Sequence, residues 1–418
     1  MEERVHNRWE IFKTKPYLLY FIGHTVAMLG TGMRFIAITW LIMDLTGRSS
    51  TVGILLVASA IPGIIFSPII GIFVDRFDRK WLAVLMDIFR FLVLLLIPLF
   101  WWLEILEPWH LYLAAFLIAL GEEVYTPSAM ILIREVIPER LLLYANSTNT
   151  IAMQVGALIG ASIGGIIISL SSPFVVIFIN ACCFLFSAIC LVNIRKGRVK
   201  PEYGGRGNKA IDFFKELKDG IDYIAKYPKI VVFYSMMFFI RMALYTINVL
   251  LAPFSKNELQ VGAAGFGYID ACFAVGAVIG NLLLPKVNAI KGPNWTMTVG
   301  MFGIGISIFL FGFSNNLIVA MGIYFMLGIM FQVGVLYLTK AQEQTDINFQ
   351  GRVHSTFNTF FAILSFAIYL GMAFLSEVYS FSILYGIQGV IIIMAGIFAY
   401  FSILKKNKEE IKYVSRSS

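Results

Sequence analysis

The sequence predicts an all-α membrane protein in which twelve transmembrane helices form two pseudo-symmetric six-helix bundles. Three observations support this fold class: an apolar composition, twelve long apolar runs, and similar segments about 209 residues apart. Of the 418 residues, 59% are apolar and 14% are charged, whereas a soluble domain has about 45–50% and about 25%. A mean hydropathy of +0.80 therefore excludes soluble, disordered, fibrous and disulfide-rich secreted proteins.

Twelve apolar runs are long enough to cross a bilayer core, which requires about 20 residues in a helix. The first run is longer than the apolar core of a signal peptide, and no small-residue cleavage site follows it. We therefore expect it to be retained as a helix. The predicted spans are 17–43, 52–74, 81–103, 110–133, 144–170, 173–194, 229–252, 265–285, 296–314, 317–338, 353–376 and 381–404.

The Lys and Arg residues are unequally divided between the two sides of the membrane. The side of the termini carries 28 of the 33 basic residues, whereas the other side carries only Arg48 and Lys256. Because basic segments remain cytoplasmic, both termini of this multi-pass protein of the cell membrane are predicted to be cytoplasmic. The clustering of basic residues in short connecting segments argues against nucleic-acid binding.

The longest connection between predicted spans is 195–228. Its first part, Lys196–Lys209, is basic and rich in glycine, which predicts a flexible linker. Its second part predicts an amphipathic helix on the membrane surface. The domain organisation is thus an amino-terminal bundle over 1–194, this linker, a carboxy-terminal bundle over 229–404, and a cytoplasmic tail over 405–418. The apolar stripe of the amphipathic helix is Ile211, Phe214, Leu217, Ile221 and Ile224.

The two predicted bundles are similar in sequence. Ala145–Thr150 parallels His354–Thr359, and Gly71 parallels Gly280. A parallel repeat of six helices is a known transporter layout, in which the pathway lies between the repeats near the midplane. Glycines at small-xxx-small spacing predict close packing of spans five and eight. They are Gly156, Gly160, Gly164 and Gly165, and Gly276 and Gly280.

The loop after the second span carries a recognisable motif. Residues 71–80 read Gly-Ile-Phe-Val-Asp-Arg-Phe-Asp-Arg-Lys. The motif resembles the signature loop of the major facilitator superfamily, with Asp78 in place of the usual second Gly. This departure, together with the segments 127–146, 220–228 and 351–353, is similar to the macrolide-efflux and siderophore-exporter branch. The resemblance covers nearly the whole chain and implies the major facilitator fold.

The chemistry of this loop predicts a conformational latch. Asp75, at a cytoplasmic helix end, can accept hydrogen bonds from Arg79 or from NH groups at a helix start across the interface of the halves. Such a latch would stabilise one access state of the transporter. The alternative is a solvated loop that only determines topology. The predicted latch residues are Gly71, Asp75, Arg76, Arg79 and Lys80.

Ionisable residues inside the predicted spans are costly and are therefore functional candidates. Glu122 and Glu123 point about 100° apart on a helix, so we expect only one of them to face a cavity. A carboxyl group in a weakly hydrated cavity can exchange protons near neutral pH. Arg34 could neutralise one glutamate, and a permanent salt bridge is the alternative to coupling. Asp87 and Arg90 are three residues apart and can form a structural pair.

The carboxy-terminal bundle offers Arg241 and Asp270 as further intramembrane charges. Their depths match poorly, which favours an outer gate or a wet vestibule for Asp270 over a role in coupling. His24 in the first span is expected to bond a local carbonyl group rather than to carry protons. Polar and aromatic residues at midplane depth suit an amphipathic substrate, and interhelical hydrogen bonding is the alternative. These cavity candidates are Gln154, Tyr245, Asn248, Gln332, Tyr337 and Asn358.

The sequence contains no motif of an enzyme. It has no phosphate-binding loop, no His/Glu metal spacing and no nucleophile elbow. The four cysteines fit neither a metal site nor a disulfide framework. We therefore predict a protein without enzymatic activity, cofactor or metal. The cysteines are Cys182, Cys183, Cys190 and Cys272.

The predicted function is secondary active transport by alternating access. We expect a monomer in the lipid bilayer that exchanges inward protons for an amphipathic drug, antibiotic or siderophore-like metabolite. The resemblance to exporters implies the direction of transport. The alternatives are a lipid flippase or an uptake symporter on the same scaffold, and a membrane sensor or assembly partner that transports nothing.

Overall fold

A computed structural model describes residues 8–138, 141–194, 221–346 and 350–417. Within these ranges the chain is helical and contains no strand, which confirms the predicted all-α class. The described residues belong to two compact units. The first lies within Met1–Gly47 and Ile54–Ala210, and the second lies within Arg48–Gly53 and Ile211–Ser418.

The first unit is built from helices that pack around α1 and α3. Among the described residues, α1 packs against α5 and α6, and α3 packs against α4 and α6. A short 3-10 helix, Arg8–Lys13, precedes α1. The α-helices are α1 (Lys15–Thr46), α2 (Ser50–Arg76, which belongs to this unit from Ile54 onward), α3 (Arg79–Trp102), α4 (Pro108–Val136), α5 (Leu142–Leu170) and α6 (Pro173–Val192).

Glycine permits the close approach of α1 and α5. A Cβ atom on Gly160 would lie 2.1 Å from the carbonyl oxygen of Leu29, and one on Gly32 would lie 2.4 Å from that of Ala157. Because these neighbours are backbone atoms, any side chain at either glycine would push the helices apart. Close packing of the fifth span through its glycine stripe is therefore confirmed.

The second unit contains the remaining helices. In the described residues, α8 packs against α10, and α9 packs against α13. Here too a glycine allows close contact, since a Cβ atom on Gly276 would lie 2.1 Å from the carbonyl oxygen of Phe325. The helices are α7 (Pro228–Asn257), α8 (Gly262–Lys291), α9 (Pro293–Phe311), α10 (Leu317–Phe331), α11 (Val333–Glu343), α12 (Gln350–Val378) and α13 (Phe381–Ser417).

The helices match the predicted spans closely. In the described part of the chain, 11 helical segments are long and apolar enough to cross a membrane, and Leu317–Glu343 counts as one of them. The second predicted span lies on α2 (Ser50–Arg76), of which Ser50–Phe66 is the apolar part within the described residues. Two details differ from the prediction: the tenth span is interrupted at Gln332, and α13 continues through the predicted tail to Ser417.

Most of the predicted linker over 195–228 lies outside the described residues. This includes Ile211, Phe214 and Leu217 of the predicted amphipathic stripe. Residues 221–226 are described and helical, with Ile221 exposed and Ile224 half-buried. The surface helix therefore remains a prediction for the segment before residue 221.

Candidate functional site

A buried ion pair joins three helices of the first unit. Asp87 and Arg90 on α3 are 0% and 1% exposed, and they form the salt bridge that their spacing predicts. The Arg90 guanidinium also lies 4.4 Å from the ring centre of Tyr125 on α4 and 4.2 Å from that of Phe184 on α6. A carboxylate and two aromatic faces thus replace the water that would otherwise solvate this cation.

Tyr125 connects this pair to α1. His24 stacks between Tyr20 and Tyr125, with ring centroids 5.4 and 6.5 Å away and planes inclined by 12° and 8°. The expected hydrogen bond from His24 to a local carbonyl group is not formed by Nδ1 in the described residues. The sequence did not single out Tyr125 or Phe184, because aromatic residues are common throughout apolar spans.

The adjacent glutamates of α4 face different helices. Glu122 is near enough to Arg34 of α1 for charge attraction, but no salt bridge joins these two residues in the described ranges. Glu123 faces α2, since its Oε1 lies 2.8 Å from the position that a Cβ atom on Gly63 would occupy. Both glutamates are half-buried, and no cation in the described ranges forms a salt bridge with Glu123. The predicted angular separation therefore places one glutamate near a cation and the other beside a glycine.

The second unit carries its intramembrane charges on separate helices. Asp270 of α8 is half-buried and acts electrostatically on Tyr324 of α10. The Arg241 guanidinium of α7 lies 5.1 Å from the ring centre of Phe361 on α12. No ion pair joins Arg241 to Asp270 among the residues described here, which agrees with their poor match in depth.

The predicted latch is described only in part. The surroundings of Gly71 and the side chains of Asp75 and Arg76 lie outside the described structure. Arg79 is half-buried, and its Nε finds no hydrogen-bond partner in the described part of the chain. The pairing of Asp75 with Arg79 therefore remains a prediction.

The remaining loop residues have structural partners in the first unit. Asp78 caps the start of α3, because its side chain accepts hydrogen bonds from Lys80 N at 2.9 Å and Trp81 N at 3.2 Å. Lys80 Nζ donates to the carbonyl oxygens of Val192 and Ile194 at the end of α6, at 2.8 and 2.9 Å. The N-cap explains why an aspartate suits the place of the usual glycine. The sequence signal for this cap is an aspartate directly before a helix, whereas comparison with the motif shows only a departure at this position.

Two cavity candidates in the second unit form hydrogen bonds to carbonyl groups of helices. Tyr337 is fully buried, and its hydroxyl group donates to the carbonyl oxygen of Met297 at 3.4 Å. Gln332 Nε2 donates to the carbonyl oxygen of Gly328 at 3.2 Å, at the join of α10 and α11. For both residues the structure favours the alternative role in hydrogen bonding of helices.

The other cavity candidates are more accessible. Tyr245 is half-buried, and its ring meets the edge of Tyr369 at a centroid distance of 5.5 Å. Asn248 is half-buried and lies near the Tyr369 side chain. Gln154 and Asn358 are exposed on α5 and α12. These four side chains therefore remain candidates for contact with a substrate.

Comparison with known proteins identifies the family. A family described as transmembrane secretion effector matches residues 7–416. The chain belongs to this family of the major facilitator superfamily. It is a membrane transporter and not an enzyme. Its many apolar helices make it a multi-pass protein of the cell membrane.

Relatives and solved structures agree with this family. The chain is 22% identical over 430 residues to the MFS-type transporter YfiS of Bacillus subtilis, covering 98% of both chains. It is 21% identical over 309 residues to macrolide efflux protein A of Streptococcus pyogenes, covering 73% of this chain and 74% of that protein. The crystal structure of nucleoside transporter NupG superposes with a TM-score of 0.70 at 13% identity, covering 93% of this chain and 99% of NupG. This last similarity shows the major facilitator fold.

Proposed function

We propose that this transporter exports a small amphipathic molecule in exchange for inward-moving protons. Relatives named for macrolide efflux and multidrug efflux support the export direction. The substrate class follows from the same names and from the accessible polar and aromatic side chains of the spans. The proposal includes alternating access by a monomer with both termini in the cytoplasm.

Glu123 carries the proposal of proton coupling. It is half-buried in a helix that is long enough to cross the membrane, and it has no salt bridge within the described residues. A carboxylate in this setting is costly unless a proton or a cation neutralises it. Glu123 is therefore suited to release its proton when a cationic substrate binds and to take a proton when the substrate has left.

Glu122 and Arg34 have a different role in this proposal. Because Arg34 lies in the electrostatic field of Glu122, Glu122 has a nearby cation that attracts its carboxylate, but no salt bridge joins the two among the described residues. We assign them to the structure of the pathway wall and not to the exchange of protons. Asp270 of the second unit is a secondary candidate for coupling, and Asp75 is proposed as the latch.

An accumulation assay in an efflux-deficient bacterium tests this assignment. Cells expressing the wild type should accumulate less ethidium or erythromycin than cells without the transporter, and a protonophore should abolish the difference. Glu123→Gln should abolish export at an unchanged amount of protein in the membrane. Glu343→Gln is the matched control, because this exposed residue is the last of its helix and pairs with Lys340 three residues earlier.

Each result distinguishes among the proposed roles. Glutamate-based proton coupling would be refuted if Glu122→Gln, Glu123→Gln and the double variant all kept full, protonophore-sensitive export. Loss of export in Asp75→Asn alone would support the latch and leave coupling to another group. Unchanged accumulation of both probes, with the protein present in the membrane, would refute drug efflux and favour a dedicated metabolite or a lipid as substrate.

A further inference from the structure

A cavity of about 280 Å³ lies within the second unit between α7, α12 and α13. Its lining is mainly aliphatic and includes Leu375, Ile387 and Ile391. None of the charged residues considered above lines it. The cavity is thus a feature of this unit that the proposed transport mechanism does not use.

Two buried polar side chains meet this cavity. Thr246 of α7 and Gln388 of α13 both line it and are 0% and 2% exposed. The Thr246 hydroxyl oxygen and Gln388 Oε1 have no hydrogen-bond partner in the described part of the protein. Buried polar atoms are nearly always bonded, so an unpartnered pair in one cavity points to a ligand.

A competing hydrogen bond explains why Thr246 is unpartnered. Threonines in helices commonly donate to the carbonyl group four residues earlier, as Thr39 does to Phe35 at 2.6 Å. For Thr246 this carbonyl belongs to Met242, and it already accepts from Gln388 Nε2 at 3.1 Å. One N–H of Gln388 Nε2 therefore donates to α7, and Gln388 Oε1 and the Thr246 hydroxyl group remain for an occupant of the cavity.

The free groups define the chemistry of that occupant. A ligand hydroxyl group can donate to Gln388 Oε1 and accept from the Thr246 hydroxyl at the same time. The volume of about 280 Å³ holds roughly nine groups of the size of a water molecule, each of about 30 Å³. Because the lining is aliphatic, these groups suit a short length of hydrocarbon chain next to the hydroxyl group.

The accessible side of the cavity indicates where the ligand comes from. Tyr379 and Ile387 line the cavity and are also 50% and 55% exposed. Ile387 lies in the apolar segment Phe381–Phe401 of α13, which is a candidate membrane span. Tyr379 lies in the turn between α12 and α13, where an aromatic ring suits the membrane interface. A molecule dissolved in the bilayer can therefore reach the cavity from the lipid.

We propose that this cavity binds the hydroxyl group and adjoining chain of a membrane-dissolved amphiphile, such as a long-chain alcohol. Thr246 and Gln388 hold the hydroxyl group, and the aliphatic lining holds the chain. The site lies in one unit of the transporter and does not depend on proton coupling or on the exported substrate.

Photolabelling of the full-length transporter tests this site. The protein is reconstituted in phosphatidylcholine vesicles and labelled with dodecanol that carries a diazirine in its chain. Mass spectrometry should locate the label within 242–246 and 384–391. Unlabelled dodecanol should compete, whereas its methyl ether should compete about fivefold less, because an ether cannot donate to Gln388 Oε1.

Isosteric variants provide the second arm of the experiment. Thr246→Val should reduce labelling about fivefold by removing one hydrogen bond at constant shape, and Gln388→Met should do the same. Thr339→Val is the control, since the exposed Thr339 hydroxyl group donates to the carbonyl oxygen of Val335 at 2.9 Å. Three results would overturn the proposal. They are equal labelling of the wild type and Thr246→Val, equal competition by dodecanol and its methyl ether, and label spread over all lipid-facing helices. Absence of label in the cavity would indicate that it holds only water.

Discussion

Removing the charge of Asp87 is the sharpest test of the buried cluster in the first unit. Asp87 is 0% exposed and pairs directly with Arg90, which is 1% exposed. Asp87→Asn keeps the shape of the side chain but leaves the Arg90 cation without its counter-charge. Removal of one partner from a buried salt bridge costs about 3–5 kcal/mol. Because the rings of Tyr125 and Phe184 still face the guanidinium, we expect about 3 kcal/mol.

The double variant separates loss of charge balance from loss of packing. Arg90→Met on its own leaves Asp87 uncompensated, whereas Asp87→Asn with Arg90→Met buries no charge at all. We therefore expect the double variant to be at least about 2 kcal/mol more stable than the sum of the single effects predicts. This coupling is large because the pair is buried in the described structure and not exposed to solvent.

Equilibrium unfolding in mixed dodecyl maltoside and dodecyl sulfate micelles, followed by circular dichroism, measures these free energies. Glu343→Gln is the control, because its pair with Lys340 is exposed and should contribute less than about 1 kcal/mol. If Asp87→Asn lowers the free energy of unfolding by less than about 1 kcal/mol, as loss of an exposed salt bridge does, charge balance in the cluster is not important for stability. Simple additivity in the double variant would show that the two residues act independently.

Two further predictions concern helix packing and capping, in addition to the transport and labelling experiments above. Gly160→Ala should destabilise the protein by about 1–3 kcal/mol, because the new methyl group would lie 2.1 Å from the Leu29 carbonyl oxygen. Gly371→Ala is the control, because its methyl group would meet no atom within 4 Å. Equal unfolding midpoints of the two variants would contradict the predicted clash. Asp78→Ala should cost about 1 kcal/mol by removing the cap of α3, whereas Asp78→Ser should retain most of that stability. A larger loss in the serine variant than in the alanine variant would refute the capping role.

The sequence was most informative where a residue type has a single physical consequence. Apolar runs longer than the bilayer core became helices at the predicted positions, because a membrane span must satisfy its own backbone hydrogen bonds. The spacing of Asp87 and Arg90 predicted their pair, since residues three apart lie on one helix face. The glycines of spans five and eight predicted close packing because only a residue without a side chain allows such contact.

The sequence was less informative where a side chain had several possible partners. It left both Glu122 and Glu123 as candidates, because their helix alone does not show which neighbour each one faces. It offered Tyr337 as a cavity residue, yet the hydroxyl group bonds the Met297 carbonyl oxygen on α9. Asp78 departs from the motif in the sequence, and only the hydrogen bonds that its side chain accepts from Lys80 N and Trp81 N show that it caps a helix.

The sequence by itself determined that this chain is a polytopic helical membrane protein and carried the motif of its superfamily. Both properties follow from local features, namely the length of the apolar runs and the order of residues in one loop. The tertiary structure decided how individual polar side chains are used. It set Arg90 between two aromatic rings, separated the environments of the adjacent glutamates, and left Thr246 and Gln388 with free groups in one cavity. Those outcomes depend on which helices become neighbours, and no local pattern encodes the distance between residues that are far apart in the chain.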